Sequence, residues 1–261
     1  MRQVDILKLD LAAGKAEQLP DYVADEVPLQ ISVNTTYSFV IWCSPLQFKE
    51  LAVGYLLAED VLRSADEIAQ ITVDEAAYTC RITLNSDVDV EERMKHSRVH
   101  WRVIPLIKAS TSPYERRETI PKVNSHFKVK AQVIIDCIND MNKRAKGFQQ
   151  TGGLHDSAIY RTDGSLVAFS EDVGRHNTVD KVIGTAVLDH VDLGECFMTI
   201  TGRVPGDMIY KAAKVGIPLV ASMAAVLSSG VVSAKRANMG LVGFVRGKRM
   251  NIYSAPEKIL F

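Results

Sequence analysis

A run of charged and small residues, Glu171 to Gly184, carries a dense set of groups that could bind a ligand. It follows an apolar alternation that predicts a strand, and it leads into apolar residues spaced like the buried face of a helix. Asp172 is placed to cap that helix, and Arg175 and His176 fall in or just before its first turn. Cations there oppose the helix dipole, at a cost of a few tenths to about 1 kcal/mol. A bound anion would remove the conflict; the alternative is that both cations pair with acidic residues of the same segment.

Glycine turns with cations recur at other predicted strands. One strand ends in Thr201-Gly202-Arg203, another ends in Arg246-Gly247-Lys248-Arg249, and the turn Thr151-Gly152-Gly153-Leu154-His155 precedes a strand. Glycine lets a backbone approach a ligand closely, and arginine matches phosphate oxygens with two parallel donors. Ligands of open α/β sheets bind beyond the carboxyl ends of the strands. The sequence therefore predicts a phosphate or pyrophosphate clamp.

The standard nucleotide motifs are missing, since the chain has neither G-x-x-x-x-G-K-[ST] nor G-x-G-x-x-G after a strand. His155 and His176 could act as general bases or metal ligands, with Asp156, Asp172 or Asp180 orienting the imidazoles. A single histidine is more often a hydrogen-bonded structural residue, and the zinc-deaminase signature is absent. We expect no metal site, and a nucleotide-directed hydrolase remains only an alternative.

Composition limits the partners of this 261-residue chain. It is 47% hydrophobic and 24% charged, with a formal net charge of +0, as in an ordinary globular protein. A neutral chain has no overall field for nucleic acid or an anionic membrane, so any anion site must be local. The apolar runs are too short to span a bilayer, and the first residues lack the features of a signal peptide. We expect a cytoplasmic protein without nucleic-acid or membrane partners.

The four cysteines, Cys43, Cys80, Cys137 and Cys196, are widely separated. No CxxC pair exists that could bind metal or cycle between thiol and disulfide. Each cysteine has apolar neighbours, which favours a buried, inert thiol.

Three segments are predicted along the chain. Residues 1–107 indicate a β-rich subdomain with one buried helix, for which Ser44, Pro45 and Gln47 suggest a capping box. Residues 108–125 are polar, carry two prolines and lack either periodicity, which indicates a long mobile loop. Residues 126–261 alternate strands and helices, which favours an α/β core with a largely parallel sheet.

Several of these blocks resemble the formate dehydrogenase accessory protein family, FdhD/NarQ. The matching blocks are FQQTGGLHDSAIY, EDVGRHNTVDKVIG, TGRVPGDMIYKAAKVGIPLVAS and LVGFVRGKRMNIYSAPEKI, preceded by EVPLQISVN and SPLQFKELAVGYLLAEDVL. The similarity runs from about Glu26 to Ile259.

The resemblance implies a sulfurtransferase that takes sulfane sulfur from a cysteine desulfurase. The sulfur goes to the molybdenum or tungsten bis-molybdopterin guanine dinucleotide cofactor before its insertion into the formate dehydrogenase catalytic subunit. The family also implies a homodimer and a cytidine-deaminase-like layered core without zinc, here beside a β-rich N-terminal subdomain. The implied cofactor contacts are Thr151, Gly152, His155, Asp172, Arg175, His176, Gly202, Arg203, Phe244, Val245, Arg246, Gly247, Lys248 and Arg249.

One feature of the sequence departs from the family. Sulfur-transferring members carry a CxxC pair in a mobile loop, where this chain has Ser110, Thr111, Ser112 and Tyr114 and no cysteine. Persulfide formation needs a thiolate, which a hydroxyl cannot replace. Two hypotheses follow: a sulfurtransferase that uses another thiol or a partner's thiol, and a cofactor-binding chaperone without sulfur transfer.

Overall fold

The computed structural model describes residues 1–34, 36–96 and 120–261. The strands are β1 (Arg2–Asp10), β2 (Lys15–Val23), β3 (Val27–Val33), β4 (Tyr37–Cys43), β5 (Ile68–Asp74), β6 (Thr79–Leu84), β7 (Val129–Lys130), β8 (His155–Arg161), β9 (Leu166–Asp172), β10 (Cys196–Ile200), β11 (Leu219–Ser222), β12 (Gly240–Arg246), β13 (Arg249–Ser254) and β14 (Ile259–Leu260). The helices are α1 (Phe48–Ala58), α2 (Val90–His96), α3 (Ala131–Arg144), α4 (Lys146–Thr151), α5 (Arg175–Leu188), α6 (Gly206–Lys214) and α7 (Ser228–Ala237).

A six-stranded sheet, in the order β13-β12-β11-β10-β8-β9, forms the centre of the molecule. Only the pairs β10–β11 and β11–β12 are parallel; the other three pairs are antiparallel. The prediction of a largely parallel sheet was therefore wrong. Tight turns join β8 to β9 and β12 to β13, and strands joined without a crossover helix must run antiparallel.

Helices cover both faces of this sheet. Helices α5, α6 and α7 pack on one face through the larger hydrophobic core, which includes Val179, Met198 and Leu241. Helix α3 covers the other face, where Ile134 and Tyr160 belong to a second core. The mixed α/β class is confirmed, while the deaminase-like layering stays a prediction.

The N-terminal half contributes a four-stranded sheet, in the order β4-β3-β6-β5, and the hairpin β1–β2. Helix α1 lies against α5 with the two backbones in contact. A Cβ on Gly54 would lie 1.8 Å from the carbonyl oxygen of Asp180, and one on Gly184 would lie 2.0 Å from that of Glu50. Leu29 of β3 belongs to the same core as the helices on the central sheet. One core thus continues across the two predicted segments 1–107 and 126–261.

The capping box predicted at Ser44 is wrong. Helix α1 begins at Phe48, and its N-cap residue Gln47 adopts the left-handed conformation with φ of 56° and no side-chain cap. Ser44 instead receives a hydrogen bond from the backbone N–H of Val173 at 3.1 Å. Its side chain therefore ties the start of α1 to the turn after β9.

The long loop predicted at 108–125 falls mostly outside the described residues. Positions 120–125 are described and contain neither helix nor strand. Val123 is buried, and its N–H donates to the carbonyl of Ala237 at 2.8 Å. Within the described ranges, no helix is both long enough and apolar enough to cross a membrane.

Candidate functional site

The turn from β9 into α5 is built around the buried carboxylate of Asp172, which is 0% exposed. Its oxygens contact Gly174 N (2.8 Å), Asn177 Nδ2 (2.8 Å), Ser44 N (3.0 Å) and Lys181 Nζ (2.6 Å). Helix α5 has Gly174 as its N-cap and no side-chain cap, so the prediction that Asp172 caps it directly was wrong. Asp172 fixes the turn from within the core and has no exposed surface for a ligand.

This turn projects Arg175 and His176 from the first residues of α5. The Nε2 atom of His176 lies 2.9 Å from Oδ2 of Asp207 on α6. Among the described residues, Arg175 forms no ion pair, and its buried Nε has no hydrogen-bond partner. Gly202 packs against the aliphatic part of Arg175, since a Cβ there would lie 3.3 Å from the arginine Cβ. Arg203 follows it, exposed.

The acidic residues that could have neutralised Arg175 are engaged elsewhere. Glu171 accepts from the backbone N–H groups at the start of α4, at 2.8 and 3.1 Å. Asp172 pairs with Lys181, and both oxygens of Asp180 bond to Lys211 at 2.6 Å. The alternative of pairing with Glu171, Asp172 or Asp180 is therefore wrong for Arg175. In the part of the chain that the structure describes, His176 pairs with Asp207, which that alternative did not include.

His155 begins β8 and lies close enough to these groups for their charges to act on it. Burial lowers the pKa of His155, and the positive charges of Arg175, His176 and Arg203 lower it further. His155 is therefore a neutral imidazole near neutral pH, with one donor and one acceptor nitrogen. We call Arg175, His176 and Arg203 the cation cluster, which lies beside His155.

A cavity of about 380 Å³ adjoins the cation cluster at His155. It is lined by Asn142, Phe148, Gly152, Gly153, Leu154, His155, Asp156, Thr201, Met223, Ala224 and Arg246. Its volume is in the range of small-molecule sites, and its walls combine apolar side chains with a few polar groups. Of the predicted contacts, Gly152, His155 and Arg246 line this pocket.

A bulge in β12 places Arg246 at the pocket. The pairing with β13 shifts register between Gly243 and Arg246, and Phe244 adopts a positive φ of 53°. The Phe244 side chain is 38% exposed, and Val245 is 1% exposed within the core. The Nε atom of Arg246 donates to the carbonyl of Met223 at 3.2 Å, so the guanidinium lies along the pocket wall.

The remaining predicted contacts occupy turns. Gly247, with φ of 59°, forms the β12–β13 turn with Lys248, and Arg249 begins β13. The side chain of Thr151 donates to the carbonyl of Gly147 at 2.8 Å and closes α4. Gly152 then ends that helix with φ of 64°, a left-handed conformation that favours glycine. The loop positions Ser110, Thr111, Ser112 and Tyr114 lie outside the described residues.

Sequence reasoning did not predict Asp156 as a ligand contact. It is 1% exposed, lines the pocket and lies directly opposite Glu171 in the β8–β9 pairing. Burial raises its pKa to about 7, and the charge and hydrogen bond of Glu171 contribute to the shift. The position of Asp156 opposite Glu171 follows from the strand register, which no spacing motif in the sequence encodes. Asn142 and Thr201 were also missed as pocket residues.

All four cysteines are buried, as predicted. Burial raises the pKa of Cys43, Cys80 and Cys137 to about 12 and raises that of Cys196 as well. The residues outside the described ranges contain no cysteine. No thiol of this chain is therefore both accessible and prone to ionise in the described conformation.

Comparison with known proteins places the chain in a family. The FdhD/NarQ family model matches residues 24–260. A protein named sulfur carrier protein FdhD from Methanothermobacter thermautotrophicus is 34% identical, covering 99% of this chain and 98% of the relative. A protein of the same name from Staphylococcus aureus is 29% identical, covering 95% and 92%.

A crystal structure assigned as a formate dehydrogenase accessory protein from Desulfotalea psychrophila has a similar fold. Its TM-score is 0.79, with 24% sequence identity and 99% of both chains covered. The match to the family model and the 34% identical relative show that the chain belongs to the FdhD/NarQ family, and the resemblance stated from the sequence blocks is confirmed.

Proposed function

We propose that this protein is an accessory factor in the maturation of formate dehydrogenase, and that it binds the bis-molybdopterin guanine dinucleotide cofactor of that enzyme. The observation that carries the proposal is the cation cluster beside a cavity of about 380 Å³. Within this cluster, Arg175 and Arg203 form no ion pair with any described residue. Unneutralised arginines suit pyrophosphate oxygens, which they bind with two parallel hydrogen bonds. The pocket offers apolar walls for an attached heterocycle.

The N-terminus of α5 adds to the attraction for an anion. Helix α5 is 14 residues long, and its N-cap residue makes no side-chain hydrogen bond to the first turn. The free N–H groups of that turn and the helix dipole both favour a negative charge. The pKa of His155 is lowered by burial and by its cationic neighbours, and a bound anion would offset the second of these effects.

We propose that the sulfur step does not use a thiol of this chain. The relatives are named sulfur carriers, but sulfur transfer through a persulfide needs an accessible thiolate. The four buried cysteines do not meet this need. The sulfur would then come directly from the persulfide of a cysteine desulfurase, while this protein holds the cofactor.

A second candidate keeps the sulfur carrier role within the chain. The names of the relatives favour it, and it requires one of the four cysteines to become exposed when a partner binds. Both candidates share the other proposed partners, which are the formate dehydrogenase catalytic subunit and a second copy of this chain in a homodimer. Both also share a cytoplasmic location.

Binding of guanosine diphosphate, a fragment of the cofactor, tests the proposal. We expect Arg175→Ala combined with Arg203→Ala to weaken binding at least about tenfold, since each lost charge-assisted hydrogen bond contributes about 1.5–3 kcal/mol. Calorimetric titration measures the dissociation constant. Arg161→Ala, at the opposite end of β8, is the matched control and leaves binding unchanged. Equal affinity in the double variant and the control contradicts the proposal.

A further inference from the structure

Two consecutive turns of α5 and α6 face each other through charged side chains. His176 lies beside Asp207, and one turn further along both helices Asp180 pairs with Lys211 at 2.6 Å. The side chains of the second pair are at most 7% exposed, whereas those of the first pair are 32% and 29% exposed. The pair His176–Asp207 is therefore the one that lies within reach of a ligand at the cation cluster.

The carboxylate of Asp207 is held in place and ionised. Its Oδ1 accepts from the backbone N–H of Met208 at 3.0 Å, and its Oδ2 lies 2.9 Å from Nε2 of His176. Burial raises the pKa of the Asp207 carboxyl group, but the contact with His176 and the charges of His176 and Lys211 lower it overall. Asp207 thus presents a fixed negative charge to the imidazole of His176.

The two nitrogens of the His176 ring have different surroundings. Nε2 lies beside Asp207, although its N–H is not aligned for a hydrogen bond, and polar contacts of this kind often align only when a ligand is bound. Nδ1 is the nitrogen that remains for a ligand. An imidazolium donates through both nitrogens, so it can join Asp207 to a phosphate oxygen. A neutral ring has a single N–H, and once Asp207 accepts it Nδ1 is an acceptor that disfavours phosphate.

The charges around His176 oppose one another until an anion binds. The charged and titratable groups that surround this pair, on α5, α6, β8 and the turn after β10, are Arg175, Asp180, Asp207, Lys211, His155 and Arg203. The cations among them disfavour a proton on the ring, and the two carboxylates favour it. An anion bound at the cation cluster adds a negative charge on the side of the arginines, so a proton on His176 and the anion stabilise each other.

We propose that Asp207 is a positioning residue of the anion site, which holds His176 as an imidazolium between its own carboxylate and a phosphate oxygen of the ligand. This inference rests on the proposed function and adds to it a residue that acts through His176. It also reverses the sign expected from charge alone. Removing a negative charge beside an anion site should strengthen anion binding by Coulomb's law, whereas the loss of this positioning weakens it.

Calorimetric titration of the full chain with inorganic pyrophosphate near neutral pH tests the inference. We expect Asp207→Asn, which keeps the size of the side chain and removes its charge, to weaken binding about fivefold or more, because the ligand then loses a charge-assisted hydrogen bond. Asp189→Asn, exposed at the other end of α5, is the matched control and leaves the affinity unchanged. Tighter or equal binding by Asp207→Asn overturns the role of Asp207.

A double-mutant cycle separates positioning from a general loosening of the contact between α5 and α6. In a His176→Gln background, Asp207→Asn should no longer weaken pyrophosphate binding. Equal weakening in both backgrounds makes Asp207 a structural residue only and overturns the inference.

Nitrogen-15 NMR of the imidazole supplies a direct signature of the same arrangement. We expect both ring nitrogens of His176 to carry hydrogen in the pyrophosphate complex of the wild type, and only one in that of Asp207→Asn. A neutral ring in the wild-type complex overturns the inference while leaving the proposed function intact. Failure of the wild-type protein to bind pyrophosphate overturns the proposed function and this inference with it.

Discussion

The middle of helix α5 carries charged side chains that are paired, whereas its N-terminus carries an arginine without an ion-pair partner among the described residues. Along the buried face of α5, Lys181 pairs with Asp172, and Asp180 pairs with Lys211. At the N-terminus of the same helix, Arg175 has no ion-pair partner among the described residues, and its Nε is buried without an acceptor. Buried charges need partners because desolvation is costly. The two ion pairs thus stabilise the fold, and the unpaired Arg175 indicates a binding site for an anionic ligand.

The largest expected effect comes from breaking a matched pair. We expect Lys181→Met to destabilise the protein by about 3–5 kcal/mol, because Asp172 would keep a buried, uncompensated charge. Chemical denaturation measures the free energy of unfolding. Lys143→Met, on the exposed side of α3, is the control and should change it by less than about 0.5 kcal/mol. A small effect of Lys181→Met would show that the pair does not hold the turn.

The carboxyl pair of the pocket should produce a pH-dependent effect. The pKa of Asp156 is 3.8 when unperturbed and about 7 in the folded protein. Below pH 3.8 the Asp156 carboxyl group is protonated in both the folded and the unfolded protein. Between pH 3.8 and about 7 it keeps its proton only in the folded protein, so the free energy of unfolding of the wild type falls as pH rises through this range. Asp156→Asn has no such proton to lose.

We therefore expect the free energy of unfolding of Asp156→Asn to increase relative to that of the wild type as pH rises from about 4 to about 7. The gain should reach up to about 4 kcal/mol and stay constant above that pH. Thermal unfolding at a series of pH values measures the difference. Asp136→Asn, on the exposed side of α3, should show no comparable trend. A pH-independent difference for Asp156→Asn would mean that Asp156 is ionised in the folded protein.

The smallest effect concerns His155. Its pKa is lowered by burial and by the cation cluster, and a bound anion would offset those positive charges. We expect the addition of inorganic pyrophosphate to raise the pKa of His155, as followed by NMR of the imidazole. The carbon signals of the exposed His126, which is not part of the cluster, provide the internal reference in the same spectrum. An unchanged pKa of His155 would show that pyrophosphate does not bind at the cation cluster.

The sequence predicts those parts of the site that depend on local rules. A cation in the first turn of a helix is visible from the sequence alone, and Arg175 was found in that way. The buried thiols followed from the apolar neighbours of the four cysteines. These signals need no knowledge of which strands are neighbours.

Other features depend on contacts between distant segments. Asp156 lies opposite Glu171 only because of the strand register, which spacing does not reveal. Ser44 fits a helix cap by local rules, but in the structure it bonds to Val173, 129 residues away. The antiparallel pairing of β8 with β10 joins strands separated by β9 and α5 in the sequence, so the alternation of strands and helices does not reveal it.

Under the proposed function, this chain binds the cofactor without carrying sulfur on its own thiols. The most direct measurement is intact mass spectrometry of the purified protein after incubation with a cysteine desulfurase and cysteine. We expect no added sulfur atom, from a preparation that still binds guanosine diphosphate. A persulfide mapped to Cys43, Cys80, Cys137 or Cys196 would contradict the claim and make this chain a sulfur carrier.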